Sequence, residues 1–297
     1  MKKHLALLLS ALLCAPALAS QSSITEAEGE ACMGNDKSRN ETESAARKDA
    51  KRMAAEFSGT YIESTTEIEN FELKQDLVQA FVNAEVTILT VLEETWVDET
   101  DCYTIRIKAE VVPVKEEIDQ VAANAGLADD PTAPLSVVVR ADKADYVGGE
   151  AMKVYIRGNK PFFARVIYVD AEGTSLQILP NPYRKDNYFP GGVWHSVPDG
   201  RDRFDLVVSP PFGEEQMIVY ASSKPLGDIG LESIGPVYKV DDKPQQIAAK
   251  TRGIKITDAS SSTAAVAATT GGSKPAASSR LAEFSEETLT LTTHAPD

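Results

Sequence analysis

The sequence predicts a small α+β domain followed by an all-β sandwich, with a low-complexity segment near the C-terminus. Three observations carry this. Up to about residue 112, helix-spaced apolar residues interleave with alternating ones, as when helices cover one sheet face. From residue 135 on, short apolar runs recur between turn residues with almost no helical spacing, which argues two packed antiparallel sheets. Between residues 258 and 279 the chain is mostly Ala, Ser, Thr and Gly, with Val266 its only large apolar side chain. Such a stretch buries too little surface to offset its ordering entropy, so disorder is expected over 258–280.

The first nineteen residues read as a leader. Lys2 and Lys3 supply positive charge, and residues 5–13 are almost unbroken apolar. That run is too short for a bilayer core of about 30 Å. It ends in Ala17-Leu18-Ala19, the small-x-small pattern that a signal peptidase cleaves. Lipidation at Cys14 is the competing reading, but that reaction wants a small residue before the cysteine, and Leu13 stands there. No later apolar run approaches the length of a membrane span, so the expected location is the periplasm or the exterior, without a transmembrane segment in the mature chain.

The elements of the first domain, residues 20–127, follow in order. Residues 24–34 read as a strand ending at Gly34-Asn35. Glu41 and Glu43 then favour a helix start. Ala46, Ala50, Met53, Ala54 and Phe57 continue at helical spacing, and Gly59 is a plausible stop. Residues 61–68, rich in Thr and Ile, read as a strand. Leu73, Leu77, Val78, Phe81 and Val82 mark a second helix. Residues 86–97 and 103–112 are two strands, the second alternating through Tyr103, Ile105, Ile107, Ala109 and Val111. The expected order is β-α-β-α-β-β.

Residues 128–134, acidic and punctuated by Pro131 and Pro134, read as a linker. In the sandwich, residues 135–257, strands are expected at 135–139, 152–156, 162–169, 174–179, 204–208 and 217–221. Gly148-Gly149, Gly158-Asn159, residues 170–173 and residues 198–200 make the turns. Residues 253–257 alternate weakly. Residues 281–297 hold a candidate final strand, most evident in Thr288-Leu289-Thr290-Leu291-Thr292, and a tail.

Composition narrows the function classes. There are 45 acidic residues against 30 basic, of which 28 remain once Lys2 and Lys3 leave with the leader, for a formal −17. A surface of that sign repels phosphate backbones and anionic lipid, so nucleic-acid binding is not expected. Cleavage leaves two cysteines, Cys32 and Cys102, whose simplest fate in an oxidising compartment is a disulfide. Two cysteines alone cannot hold zinc, and His195 and His294 lie in another segment. No metal or cofactor is expected. The chain has no Gly-x-Ser-x-Gly elbow, phosphate loop, dinucleotide fingerprint or His-Glu-x-x-His motif. Residues 98–101 and 199–202 lack the alternating ligands of a calcium loop and read as solvated turns. A catalytic carboxylate pair has no spacing visible in sequence to support it.

Residues 180–194 are irregular and aromatic, with Tyr183, Tyr188, Phe189 and Trp194. Rings on a loop above a rigid sandwich either cap its core or form a contact surface, and these four are the candidate partner-binding residues.

Two resemblances add to this reading. Glu28-Gly29-Glu30-Ala31, the helix through Ala45-Ala46-Arg47-Lys48-Asp49-Ala50 and the strand from Tyr103 to Val111 resemble the N-terminal module of the flagellar assembly protein T family and the related small envelope lipoprotein module. That resemblance covers residues 24–115. Tyr146-Val147-Gly148-Gly149-Glu150, Val166 to Gly173, Leu176 to Asn181, Asp186-Asn187, Pro190-Gly191-Gly192 and Val197-Pro198 resemble an uncharacterised family of immunoglobulin-like bacterial domains. In that family the domain follows assorted envelope, caspase-like or kinase-linked modules, which implies an accessory role and carries over no catalytic residue.

The expected function is therefore that of a non-enzymatic, exported envelope adaptor or binding module whose partner is another envelope protein. A flagellar or surface-structure assembly factor and a glycan-binding accessory of a cell-wall enzyme are the alternatives.

Overall fold

A computed structural model describes residues 20–35, 37–65, 71–114, 129–234, 237–252 and 281–296. The leader, the whole low-complexity stretch 258–280 expected to be disordered, and residues 253–257 lie outside the described residues.

The N-terminal half runs β1 (Ser20–Cys32), α1 (Arg39–Thr65), α2 (Phe71–Val82), β2 (Glu85–Val97) and β3 (Cys102–Val112). Helix α1 starts at a reciprocal cap. Glu41 N donates to Ser38 Oγ at 3.3 Å, and Glu41 Oε2 accepts Ser38 N at 2.8 Å. The alanine face of α1 sits on the sheet with Ala46, Ala50 and Ala54 fully buried. Gly29 of β1 makes that approach possible, because a Cβ there would fall on the backbone of Ala46 and Ala50. Ile105, Ile107, Ala109 and Val111 of β3 complete this core with Leu77 and Phe81 of α2.

The strand expected at 61–68 does not form as far as the described residues reach, because α1 continues to Thr65. Gly59 is not a helix stop. It is buried where α2 crosses, and a Cβ on it would lie 2.8 Å from Val82 Cγ2. Ile62 then falls on the buried face, so packing overrides the local β preference of the Thr- and Ile-rich stretch. The observed order is β-α-α-β-β.

The C-terminal half comprises β4 (Val137–Ala141), β5 (Asp145–Val147), β6 (Ala151–Met152), β7 (Val154–Gly158), β8 (Phe162–Val169), β9 (Ser175–Leu179), β10 (Tyr188–Phe189), β11 (His195–Val197), β12 (Leu206–Val207), β13 (Glu214–Ser222), β14 (Leu231–Ile234), β15 (Val237–Val240), α3 (Pro244–Thr251) and β16 (Ala282–His294). The β14–β15 hairpin and α3 were not anticipated. Strand dominates the fold, in a large curled sheet ordered β14-β15-β9-β8-β13-β16-β1-β3-β2. Its pairings are antiparallel except that of β5 on β16. A three-stranded sheet, β11-β7-β4, faces it across a core of Val137, Val139, Ile156, Val166, Met217 and Val219. The reverse face of the large sheet is covered by Ile247 of α3 and by Leu226, packed with Ile24, Ile218 and Phe284.

The two halves share one sheet. β16 lies between β13 and β1, pairing Ser222↔Phe284 on one side and Ser22↔Phe284 on the other. The stretch expected as a linker is anchored from residue 130 on. Asn159 Nδ2 donates to Asp130 O at 2.8 Å and Pro134 O at 3.0 Å, and Ala133 and Leu135 are fully buried. Among the described residues no helix is long and apolar enough to cross a membrane.

Candidate partner-binding surface

The aromatic loop is held rigid by short polar contacts. Asn181, itself buried, donates from Nδ2 to Ile178 O at 2.8 Å, and its Oδ1 accepts the Tyr183 and Arg184 amides at 2.8 Å. Such side-chain-to-backbone bonds build the turn without any ladder. Arg184 reaches Asp202 at 3.0 Å and lies over the Phe189 ring at 5.2 Å. Asp199, at 3.9 Å from Arg184, is held below the usual carboxylate range by backbone hydrogen bonding from Arg201. The acids at 199 and 202 thus serve to fix the loop. Further along, Gly191 rests on the Lys160 backbone, and Gly192 N donates to Gly158 O at 2.8 Å.

The structure separates the four candidate rings. Phe189 is 1% exposed and stacks on Phe162 at 5.3 Å in the core, so it is not a surface residue. The register of β10 on β8 explains this: Phe189↔Phe162 points inward and Tyr188↔Phe163 outward. Tyr188 stays exposed against Phe163, on the side of the large sheet that α3 covers. Tyr183, also exposed, stacks on Phe204 at 6.5 Å. Trp194 is 38% exposed on the outer side of the three-stranded sheet. His195 packs its ring against Phe189 at 5.2 Å, and its Nε2 lies 2.8 Å from Pro190 O.

Around Trp194 lies a surface that sequence reasoning did not assemble. The Arg140 guanidinium sits 4.1 Å from the Trp194 ring centroid and 5.4 Å from that of Tyr155. Alternation places it there: Val137 and Val139 point inward, while Val138 and Arg140 are exposed. Across the sheet Arg140 pairs with Tyr155, and Tyr155 with Ser196. The outward positions Val138, Arg140, Tyr155, Arg157 and Ser196 include no carboxylate; Asp129 meets Arg157 from the rim at 2.7 Å. A cation over an exposed and a half-buried ring offers both dispersion area and charge. The period-2 pattern of residues 137–140 and 154–157 held this signal, without showing that the two faces adjoin Trp194.

Cys32 and Cys102 form a disulfide, at register-paired positions of β1 and β3 with Cα atoms 3.9 Å apart. Among the described residues, Glu30 with these two sulfurs makes a set close enough to share a metal, but the bond engages both thiols.

Residues 145–225 match a family model described as a domain of unknown function, DUF4384. The match runs from β5 to just beyond β13, takes in the aromatic loop, and covers less than a third of the chain. It leaves residues 24–115, β4 and β16 outside. No curated protein and no solved structure matches the chain.

Proposed function

We propose that this protein is an exported, non-enzymatic envelope adaptor that holds another envelope protein on the outer face of its three-stranded sheet. The observation that carries the reading is the exposed stack of Arg140 on Trp194 and Tyr155, bordered by Val138. Large rings and arginine dominate interface energetics when a partner excludes water from them. The face is displayed on strands, so little ordering entropy opposes docking. The immunoglobulin-like character implied for the second domain suits such a role, since its two packed sheets leave outer faces for contacts. A surface-structure assembly role rests on the resemblance of residues 24–115 alone, which is fold-level analogy. A glycan-binding role draws on the exposed rings, but Arg140 already covers one face of Trp194.

The test is capture from the protein's own envelope fraction with wild type, Arg140→Glu and Trp194→Ala. A partner protein retained by wild type and lost by both variants, at unchanged melting temperature, is the expected result. Identical retained sets for all three would remove this face from the function, and loss of a polysaccharide instead of a protein would favour the glycan reading.

A further inference from the structure

We propose that cleavage between Ala19 and Ser20 creates an amino terminus that pairs with Glu286 and Glu287, completing a charge cluster inside the large sheet. This rests on the leader reading of residues 1–19. Ser20, the residue after the expected cleavage point, lies in β1 and is register-paired with Glu286. In this antiparallel pairing Gln21↔Ser285 is followed by Ser20↔Glu286, so the Ser20 nitrogen, on the far side of that pair from Gln21, lies toward the step from Glu286 to Glu287. β1 is an internal strand, between β16 and β3. The new amine therefore arises within the sheet, where successive side chains of β16 project to opposite faces. Glu286 lies on one side of it and Glu287 on the other.

Both carboxylates lack full compensation. On the first face Arg252 stands between two acids, its Nε 2.9 Å from Glu110 Oε1 and its Nη2 3.1 Å from Glu286 Oε2. Glu110 and Arg252 are largely buried, and Ser22 Oγ donates to Glu110 at 2.7 Å. The next row, Glu26↔Lys108, is balanced by itself, and the residue opposite Glu286 on β13 is Tyr220. Two carboxylates thus share one guanidinium. On the other face Glu287 is 7% exposed, and its Oε2 has no hydrogen-bond partner among the described residues. Its row neighbours are already engaged: Glu283 takes the Leu135 amide and Ser285 the Val137 amide. A buried acid of this kind is stabilised by a cation placed beside it. An uncleaved chain offers a neutral peptide group at that point; a cleaved one offers an ammonium.

Two measurements test this separately. Mass analysis of the protein recovered from the envelope of cells making the full chain should find Ser20 as first residue. A lipid-bearing start at Cys14, or a retained leader, would overturn the processing step. Independently, a chain released by a site-specific protease to begin at Ser20 is compared with the same chain acetylated at that amine. The free amine should raise the melting temperature at pH 7 by about 2–4 °C, and the gap should vanish in Glu286→Gln/Glu287→Gln and shrink in Glu287→Gln alone. Equal melting temperatures, or a gap that survives the double substitution, would overturn the cluster even if cleavage occurs at Ser20.

Discussion

Lys160 Nζ lies 2.9 Å from Glu283 Oε2, and both side chains are largely buried. The same oxygen of Glu283 accepts the Leu135 amide at 2.6 Å, and the Tyr61 side chain of α1 lies within electrostatic reach of this carboxylate. Burial, with Glu283 adding to it, raises the Tyr61 pKa. One carboxylate on β16 therefore joins the helix of the N-terminal half to the β7–β8 turn and to the start of β4. Glu283→Ala would leave a buried ammonium and a buried N–H without their acceptor, a loss on the order of 3–5 kcal/mol. Urea unfolding should show it as a lower midpoint. Glu283→Ala within about 1 kcal/mol of wild type would mean the junction is held by apolar packing alone.

The Cys32–Cys102 bond closes a 70-residue separation at the far end of the β1–β3 pairing. On the chain-entropy model a loop of that length corresponds to roughly 4 kcal/mol. Cys32→Ser/Cys102→Ser should lower stability by about 2–5 kcal/mol. Native wild type should resist alkylation, and uptake of two alkyl groups without reductant would show that the bond is not formed.

Gly29→Ala should be costly for a reason distinct from chain entropy. The added methyl falls on the α1 backbone at Ala46 and Ala50, which cannot yield as a flexible side chain could. Overpacking of this sort costs about 1–3 kcal/mol. Gly200→Ala, where nothing lies within 4 Å of the added carbon, is the control and should stay within about 0.5 kcal/mol.

How much of this was legible in sequence depended on the range of the determining contact. The alternation of Tyr103, Ile105, Ile107, Ala109 and Val111 is local and placed β3 and its buried face correctly. The Ser38–Glu41 cap is also local, and its Glu41 belongs to the acidic run that already marks the helix start in sequence. Gly59 misled because a glycine that ends a helix and one that lets another helix approach look alike in sequence; only Val82 distinguishes them. Phe189 and Tyr188 are adjacent and chemically similar, and their division between core and surface is set by which residue of β8 each one pairs with. Arg140 and Trp194 meet only because β4, β7 and β11 pair in that order. The position of β16 between β1 and β13 is a long-range outcome of the same kind, although its strand character shows in Thr288 to Thr292.

Glu287 makes stability depend on pH in a stated direction. Burial pushes its carboxyl up to about 7 from an ordinary value of 4.5. The folded protein then holds a proton that the unfolded chain releases, so the contribution is fully present below pH 4.5. It is lost as pH rises through about 7. Glu287→Gln should flatten that decline, with melting temperatures equal to wild type at pH 4.5 and higher above pH 7. In chains beginning at a free Ser20 amine the slope should be smaller than in acetylated ones. A parallel pH profile for Glu287→Gln and wild type would show that this carboxyl titrates in the fold as it does in the unfolded chain.

Phe189 and Trp194 should part company when each is shortened. Phe189 fills the core between Phe162 and the Arg184 guanidinium, so Phe189→Ala opens a cavity and should cost about 3–5 kcal/mol. Trp194 is 38% exposed and touches Arg140, a contact of about 0.5–1 kcal/mol at an exposed site. Trp194→Ala should therefore leave the unfolding midpoint almost unchanged while removing the ring from the docking face. Arg140→Lys separates packing from charge, since an ammonium keeps the sign but not the planar stacking on two rings. If the face works through stacking, Arg140→Lys should weaken partner capture nearly as much as Arg140→Ala. If it works through charge alone, the lysine variant should bind like wild type. A Trp194→Ala protein that unfolds as readily as Phe189→Ala would make the ring part of the core and leave the outer sheet face without its anchor.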